Sequence, residues 1–525
     1  MSATTLNLAH LLTHQARLTP DRTAVIKRPA TLTYRQLDAM SSQVASGLRA
    51  LGFGPGDHIA LSCPNTPHFP IAYYGILKLG GVVVPLHVLL KPREIAYHLN
   101  DSDAKAMFVF EGTPELPMAQ MARTACDDAP NCRQLIVMTI DPASPSPVER
   151  SLTLGQVMHG QLPSYATHAT APTDTAVILY TSGTTGQSKG AELTHFNMTL
   201  NAMTSRDMFS PVLDRGLDAR NISLVTLPLF HSTGQTCQMN AGIAGGWALV
   251  LLPRFDPAAV LEAFAAERVS CWIAVPTMYW ALLQHVRQQQ VDVAAAAASL
   301  RCVVSGGAPM PVALLHDFEK TFGVRVLEGY GLSETSPVAC FNQLYRPSKP
   351  GTVGLPIFSC EIAIVDDDDR ALPSGTRGEV VIRGHNVMKG YYKRPAETAE
   401  ALKNGWLHTG DIGVFDEDGY LSIVDRKKDM ILRGGVNVYP REVEETLMTH
   451  PAVSLAAVIG IADERLGEEI KAFVVLKPGA SITTDALIDW SKNELAAFKY
   501  PRTIEFRDSL PVGPTGKVFK RALKV

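Results

Sequence analysis

Residues 176–180, Ala-Val-Ile-Leu-Tyr, form a short and wholly apolar run with β-branched members. That pattern fits a strand buried on both faces. Directly behind it comes Thr181-Ser182-Gly183-Thr184-Thr185-Gly186-Gln187-Ser188-Lys189-Gly190. Its three glycines let the backbone turn back so that N–H groups converge on an anion. The hydroxyls of Thr181, Ser182, Thr184 and Thr185 add neutral donors, and Lys189 adds a mobile charge suited to phosphate. A Walker A loop needs Gly-Lys followed by Ser or Thr. Here Ser188 precedes Lys189 and Gly190 follows it, which argues against a P-loop nucleotidase.

The flanking sequence alternates in period. Thr33 and Gln36 form a capping box ahead of Leu37, Met40, Val44, Leu48 and Leu51 at helical spacing, and Gly52 stops the helix. Residues 58–63, 82–86 and 105–110 read as strands, and 71–79 and 93–99 as helices, which implies parallel α/β layers. Residues 141–172, rich in Pro, Ser, Thr and Ala, read as surface loop. Five alanines at 294–298 read as helical filler, and the acidic run 366–369 as a solvated hairpin tip. Beyond Asp425 the pattern changes to a helix near 441–448, strands at 454–461 and 470–476, and a helix near 486–495, enough for a small separate α/β unit.

A chain of 525 residues exceeds what one core supports, so two or more domains are expected. A net charge of -3 provides no basic face for nucleic acid. No run approaches the length of a membrane span. The eight cysteines show no metal-ligand spacing and read as reduced core residues of a cytoplasmic protein, with neither a secretory nor a peroxisomal address.

Five further motifs carry chemistry. Glu328-Gly329-Tyr330-Gly331-Leu332-Ser333-Glu334 puts an aromatic ring between glycines, where it can lie against a purine, and ends on a carboxylate suited to Mg2+. Ahead of it stands Ser305-Gly306-Gly307-Ala308-Pro309. Residues 405–411 end in Asp411, which can accept both ribose hydroxyls from a tight turn. Asp425-Arg426-Lys427-Lys428-Asp429 is a charged cluster, and Gly513-Pro514-Thr515-Gly516-Lys517 presents one lysine near the C-terminus.

In this order the motifs resemble the AMP-forming, adenylate-making superfamily of acyl-CoA synthetases, peptide-synthetase adenylation domains and luciferases. The resemblance runs over about residues 8–522, and residues 405–444 look most like bacterial medium- and long-chain fatty-acyl-CoA synthetases. It implies an α/β fold with a large N-terminal domain of several subdomains, residues 1–427, and a small mobile α+β lid, residues 428–525, turning at Lys428. It implies ATP, Mg2+ and CoA, with Lys517, His231 and Lys189 as catalytic residues and Glu334 as the metal ligand. By the same likeness the nucleotide lies on residues 181–186, Gly307, Ala308, the segment from Glu328 to Gly331, Ser333, Asp411 and Arg426. Gly434 and Gly435 would line the thiol channel, and Arg433 departs from the small residue usual before them.

The expected reaction joins a carboxylic acid to AMP and then to CoA. The candidate lining Phe230, Met239, Val275, Gly307, Leu332 and Val338 offers no charge, which implies an uncharged tail, because an unpaired buried charge is costly. Gly242, Gly245 and Gly246 are read as leaving room for a medium- to long-chain fatty acid. An aryl acid, a carrier protein in place of CoA, and a degenerate nucleotide-binding protein are the alternatives. Peripheral membrane contact and a homodimer stay open.

Overall fold

The apolar run preceding the glycine loop becomes the strand Thr175–Thr181, and four of its central residues are fully or almost fully buried. In this computed structural model, which describes residues 4–181, 188–214, 220–513 and 516–523, that strand sits inside an eight-stranded sheet. It pairs in parallel with Val82–Pro85 and antiparallel with Lys189–Thr194, so the glycine loop joins two neighbouring strands. His58–Ser62, Ala106–Phe110 and Gln134–Met138 continue the sheet in parallel register.

The helices follow their local signals. Tyr34–Ala50 starts at the expected capping box, with Gln36 N donating to Thr33 Oγ1 at 3.2 Å and Thr33 N donating back to Gln36 Oε1 at 2.9 Å. His68–Leu79 ends at Gly80, whose φ of 85° lies in the left-handed region. Both helices pack on the sheet through Val44, Leu48, Tyr73 and Leu77, all fully buried.

A nine-stranded sheet follows, with a core of its own around Trp272, Tyr279, Phe264 and Phe318. Cys271–Ala274, Cys302–Gly306 and Val326–Gly331 lie side by side in parallel, which brings the Ser305 and Glu328 motifs to one sheet end as register partners. A five-stranded antiparallel sheet then carries Trp406–Phe415 and Leu421–Arg426, with Asp411 opposite Arg426.

From Ile431 onward the chain builds a separate five-stranded sheet. Val453–Asp463 and Gly467–Leu476 form its long hairpin, Pro440–Thr449 and Thr484–Glu494 its helices, and Ile431, Val443, Leu447, Val458 and Val474 its core. A large N-terminal part and a smaller C-terminal part of mixed α/β structure are therefore observed, as expected.

Two local readings need correction. Residues 141–172 are not all loop: Ser151–Thr153 adds an edge strand beside Gln134–Met138, and Leu154–Met158 is a short helix. Its capping box, Thr153 with Gln156, was in the sequence and is the signal that was overlooked. The alanine run forms a helix only at Ala294–Ala297, too short to propagate on propensity alone. The acidic run is a solvated tip joining two antiparallel strands, Cys360–Val365 and Gly378–Gly384, as expected, and it carries surface ion pairs. Asp367 accepts from Lys427 Nζ at 2.8 Å, and Asp369 pairs with Lys403.

Candidate active site

The ends of the strands just described converge. Asp411, buried at the middle of its strand, accepts from the Tyr330 hydroxyl at 2.6 Å and pairs with Arg426 Nε at 3.0 Å. Cross-strand pairing explains the second contact, because Asp411 and Arg426 are register partners. Burial raises the Asp411 carboxyl above its ordinary range while Arg426 pulls the other way. One carboxylate thus ties three of the motifs together.

Gly307 ends the neighbouring strand with a φ of 78°. Lys517 lies against it: a Cβ at Gly307 would stand 3.2 Å from Lys517 Cε and 3.7 Å from Nζ. Burial, and then the positive charge of Arg426, push the half-buried Lys517 amine down to about 8. The turn that carries Lys517 is held from below, where Thr277 Oγ1 donates to the Gly516 carbonyl and Gly516 packs on Val275. A second tie is Trp280 Nε1 donating to Ser454 Oγ at 2.7 Å. Neither Thr277 nor Trp280 belongs to a motif, and only the tertiary fold brings them to the C-terminal part.

His231 faces the same space. Thr233 N donates to its Nδ1 at 3.3 Å, which leaves the ring proton on Nε2. Burial, Lys517 and His87 push its pKa down to about 3, so it is a neutral N–H donor and a poor base at neutral pH. Of the expected lining, Phe230, Leu332 and Val338 are half-buried, and Met239 and Val275 are buried. The expected room at Gly242, Gly245 and Gly246 is absent. A Cβ at Gly242 would meet Leu249 Cδ2 at 2.6 Å, one at Gly245 would collide with the Trp247 indole, and one at Gly246 would meet Arg22 and Gln15. These glycines let Trp247 and Leu249 pack closely, an outcome that composition alone could not distinguish from a tunnel.

On the opposite side, Ser182, Gly183, Thr184, Thr185 and Gly186 lie outside the described residues, while Thr181 and Lys189 are their strand-end neighbours and pair in register. Lys189 Nζ sits 5.2 Å from the Tyr391 ring centre, and the Tyr391 hydroxyl donates to Glu334 Oε1 at 2.9 Å. Tyr391 was not foreseen; it reaches this place because Gly390–Tyr391 pairs with the strand begun by Lys189. Ser333 and Glu334 open a short 3-10 turn. Gly331 accepts no Cβ, which would strike the Pro337 carbonyl. Glu328 points away from this face, accepting from Gly351 N at 3.2 Å, and burial pushes it up to about 7. Ala308 is half-buried in the bend after Gly307.

Lys428 lies in the turn between the two five-stranded sheets, with Lys427 N donating to Gly410 O at 2.8 Å. Gly434 and Gly435 stand exposed at the tip of the hairpin formed by Ile431–Arg433 and Val436–Val438. Arg433 is paired: its Nε and Nη2 donate to Glu469 at 2.6 and 2.9 Å, which fastens the hairpin to the next strand.

Residues 12–392 match the family model for the AMP-binding enzyme, and residues 442–517 match that for the AMP-binding enzyme C-terminal domain. The chain belongs to the AMP-binding enzyme family. Among the relatives of this AMP-binding enzyme, a long-chain-fatty-acid–CoA ligase of Bacillus subtilis is 35% identical, covering 98% of this chain and 94% of its own. A feruloyl-CoA synthase of an Amycolatopsis species is 36% identical, covering 96% of each chain. Among solved structures, ATP-bound MatB from Rhodopseudomonas palustris gives a TM-score of 0.86 at 30% identity, covering 99% of this chain and 98% of that one. The apo form of the same MatB gives 0.77, so the whole-chain arrangement of this AMP-binding enzyme is nearer the ATP-bound form. No helix among the described residues is long and apolar enough to cross a membrane.

Proposed function

We propose that this enzyme is an AMP-forming acyl-CoA ligase. A carboxylate oxygen attacks the α-phosphorus of ATP, pyrophosphate leaves, and the acyl-AMP product is then attacked at its acyl carbon by the thiol of CoA, releasing AMP. The observation that carries this reading is the seating of Lys517 against Gly307, between His231 and the Asp411–Arg426 pair.

The roles follow from position. Asp411 has one oxygen on Tyr330 and one on Arg426, an arrangement that would orient a ribose beside the Tyr330 ring. Gly307 and Ala308 would flank the adenine, and Glu328 would hold that wall from behind. The lysine is the mobile charge for the α-phosphate, where preorganised donors act most strongly on charge that develops in the transition state. Neutral His231 would donate to the acid and form a wall of its pocket. Residues 181–186 and Lys189 would cradle the outer phosphates.

Glu334 fits a Mg2+ ion in one respect: it is a hard oxygen donor set by Tyr391 on the phosphate side. Among the described residues no three metal-binding side chains converge, which suits an ion held by one carboxylate together with phosphate and water oxygens. When bound, the ion would neutralise phosphate charge.

Residues 1–427 would form the AMP- and acyl-binding domain and 428–525 the lid. Rotation at Lys428 would withdraw Lys517 and bring the Gly434–Gly435 tip to the thiol. A medium- to long-chain fatty acid is the reading favoured by the Bacillus relative's name; an aryl acid is the second, favoured by that of the Amycolatopsis relative. Acid-dependent exchange of pyrophosphate into ATP, followed by CoA ester formation, tests the reaction. The kcat/KM series from acetate to palmitate, with benzoate and cinnamate, tests the acid. No exchange with any acid would refute the ligase, and CoA left unused beside a stable acyl-AMP would point to a carrier protein.

A further inference from the structure

The segment after His231 winds as a π-helix, Gly234–Asn240, a rare geometry that is frequent at functional sites. Gln235 is the residue one turn on from His231, and its N–H donates to the His231 carbonyl at 3.0 Å. Its side chain is completely buried, yet neither Nε2 nor Oε1 has a hydrogen-bond partner. Neighbours on the helix are engaged: Thr236 Oγ1 donates to Met198 Sδ at 3.7 Å, Gln238 Nε2 reaches Leu224 O and Ile273 O at 3.0 and 3.2 Å, and Asn240 holds Tyr73 and Tyr74. Three more buried polar atoms of this region lack partners, Gln238 Oε1, Ser232 Oγ and His87 Nε2; the His87 ring lies 4.5 Å from that of Phe230.

Buried amides are nearly always satisfied, and leaving both ends of one unpaired is a cost that a purely hydrocarbon tail would not remove. On the ligase reading, His231 stands beside the reacting carboxylate, and the positive charge of Lys517 acts on it. Gln235 is buried about one helical turn along the chain from His231, on the order of 5 Å.

We propose that Gln235 is a specificity residue that hydrogen-bonds an uncharged oxygen, hydroxyl or carbonyl, carried by the acid a few bonds beyond its carboxylate. This rests on the ligase reading and names the substrate class of that site. The amide offers both a donor and an acceptor, so it serves either oxygen, whereas it offers no charge to a second carboxylate. The oxygen could belong to a hydroxylated fatty acid or to a ring-hydroxylated aryl acid; the chemistry at Gln235 is the same.

The test is kcat/KM for acid-dependent pyrophosphate exchange with matched pairs: decanoate against its 3- to 6-hydroxy derivatives, and cinnamate against 4-hydroxycinnamate. At least one pair should favour the oxygenated acid by roughly ten- to hundredfold. Gln235→Leu should abolish that ratio while plain decanoate or cinnamate is used as well as before or better. Gln235→Met, which keeps the unbranched shape, guards against a leucine variant that fails to fold. The pair that discriminates identifies the source. Equal constants within both pairs in the wild type overturn the proposal and leave the ligase intact. So does an equal loss on both members of a pair in the folded variants, which would make Gln235 structural. Absence of exchange with every acid overturns the ligase reading and this inference with it.

Discussion

Two turns of the C-terminal part meet opposite fates. The turn at Gly516 and Lys517 is pressed into the nucleotide side of the site, held by Thr277 and Val275. The turn at Gly434 and Gly435 stands in solvent, and a Cβ at Gly435 would touch nothing within 4 Å. Both belong to the C-terminal part, one on the hairpin Ile431–Val438 and the other in the turn closed by the Val512–Val518 bridge. On the proposed mechanism, the contrast fits an arrangement that serves the first half-reaction, with the second calling for the C-terminal part to turn.

The strongest way to break the contrast is Lys517→Ala. Loss of a preorganised charge at a developing oxyanion typically costs on the order of 10²–10³ in rate, so acyl-AMP formation should fall by that much. Thioester formation from supplied acyl-AMP should stay within a few-fold of wild type. Equal losses in both half-reactions, followed by single-turnover kinetics, would show that Lys517 serves both and that no alternation exists.

Gly435→Leu is the mirror experiment. Space does not forbid the side chain here, although the φ of 80° makes any residue with a Cβ strained by about 1–2 kcal/mol. In the second arrangement the side chain should obstruct the thiol, lowering CoA ester formation by roughly 10², the usual scale for a misplaced reactant. Pyrophosphate exchange should survive. Normal CoA turnover would place the thiol path elsewhere; Arg433 is not the substitute, because Glu469 already occupies it.

The pH dependence sharpens the same difference. Lys517 is held at about 8 by burial and by Arg426, with Asp411 opposing, and His231 adjacent to it is neutral. Above that pH the free amine predominates and the charge offered to phosphate is lost. The kcat/KM for ATP in the adenylation half-reaction should therefore decline toward tenfold per unit above about 8, since kcat/KM reports free-enzyme ionisation. The kcat profile should break at higher pH, because bound phosphate favours the charged amine. Lys517→Arg should erase the break, as arginine stays charged throughout. A break unmoved in that variant would assign it to another group.

How much of this was legible beforehand depended on whether a feature was local. Capping boxes, helix stops and the buried strand are local, and they led to the parallel α/β layers, whereas the resemblance carried by the ordered motifs led to the two-part fold and to Asp411, Arg426 and Lys517. Tyr391, Thr277, Trp280 and Gln235 carry no local mark. Tyr391 acquires meaning only from antiparallel pairing with the strand begun by Lys189, and Gln235 only from having no partner once its neighbours are placed. The same limit misled the reading of Gly242 and Gly245, since a glycine is equally compatible with an opening and with a tight approach of a large side chain.

The smallest expected effect isolates the tie that holds the first arrangement. Trp280 reaches across from the helix Pro276–Gln289 to donate to Ser454 Oγ, at the start of the long hairpin of the C-terminal sheet. Trp280→Phe keeps a ring and removes the donor; Ser454→Ala removes the acceptor. One neutral hydrogen bond is worth about 0.5–1.5 kcal/mol, a factor of roughly two to ten in the balance between arrangements. Each variant should slow acyl-AMP formation by no more than that and leave thioester formation from supplied acyl-AMP unchanged or slightly faster. If the two side chains act as a single tie, the double variant should lose no more than either single one. Additive losses, or equal slowing of both half-reactions, would show that they stabilise the fold rather than choose between arrangements.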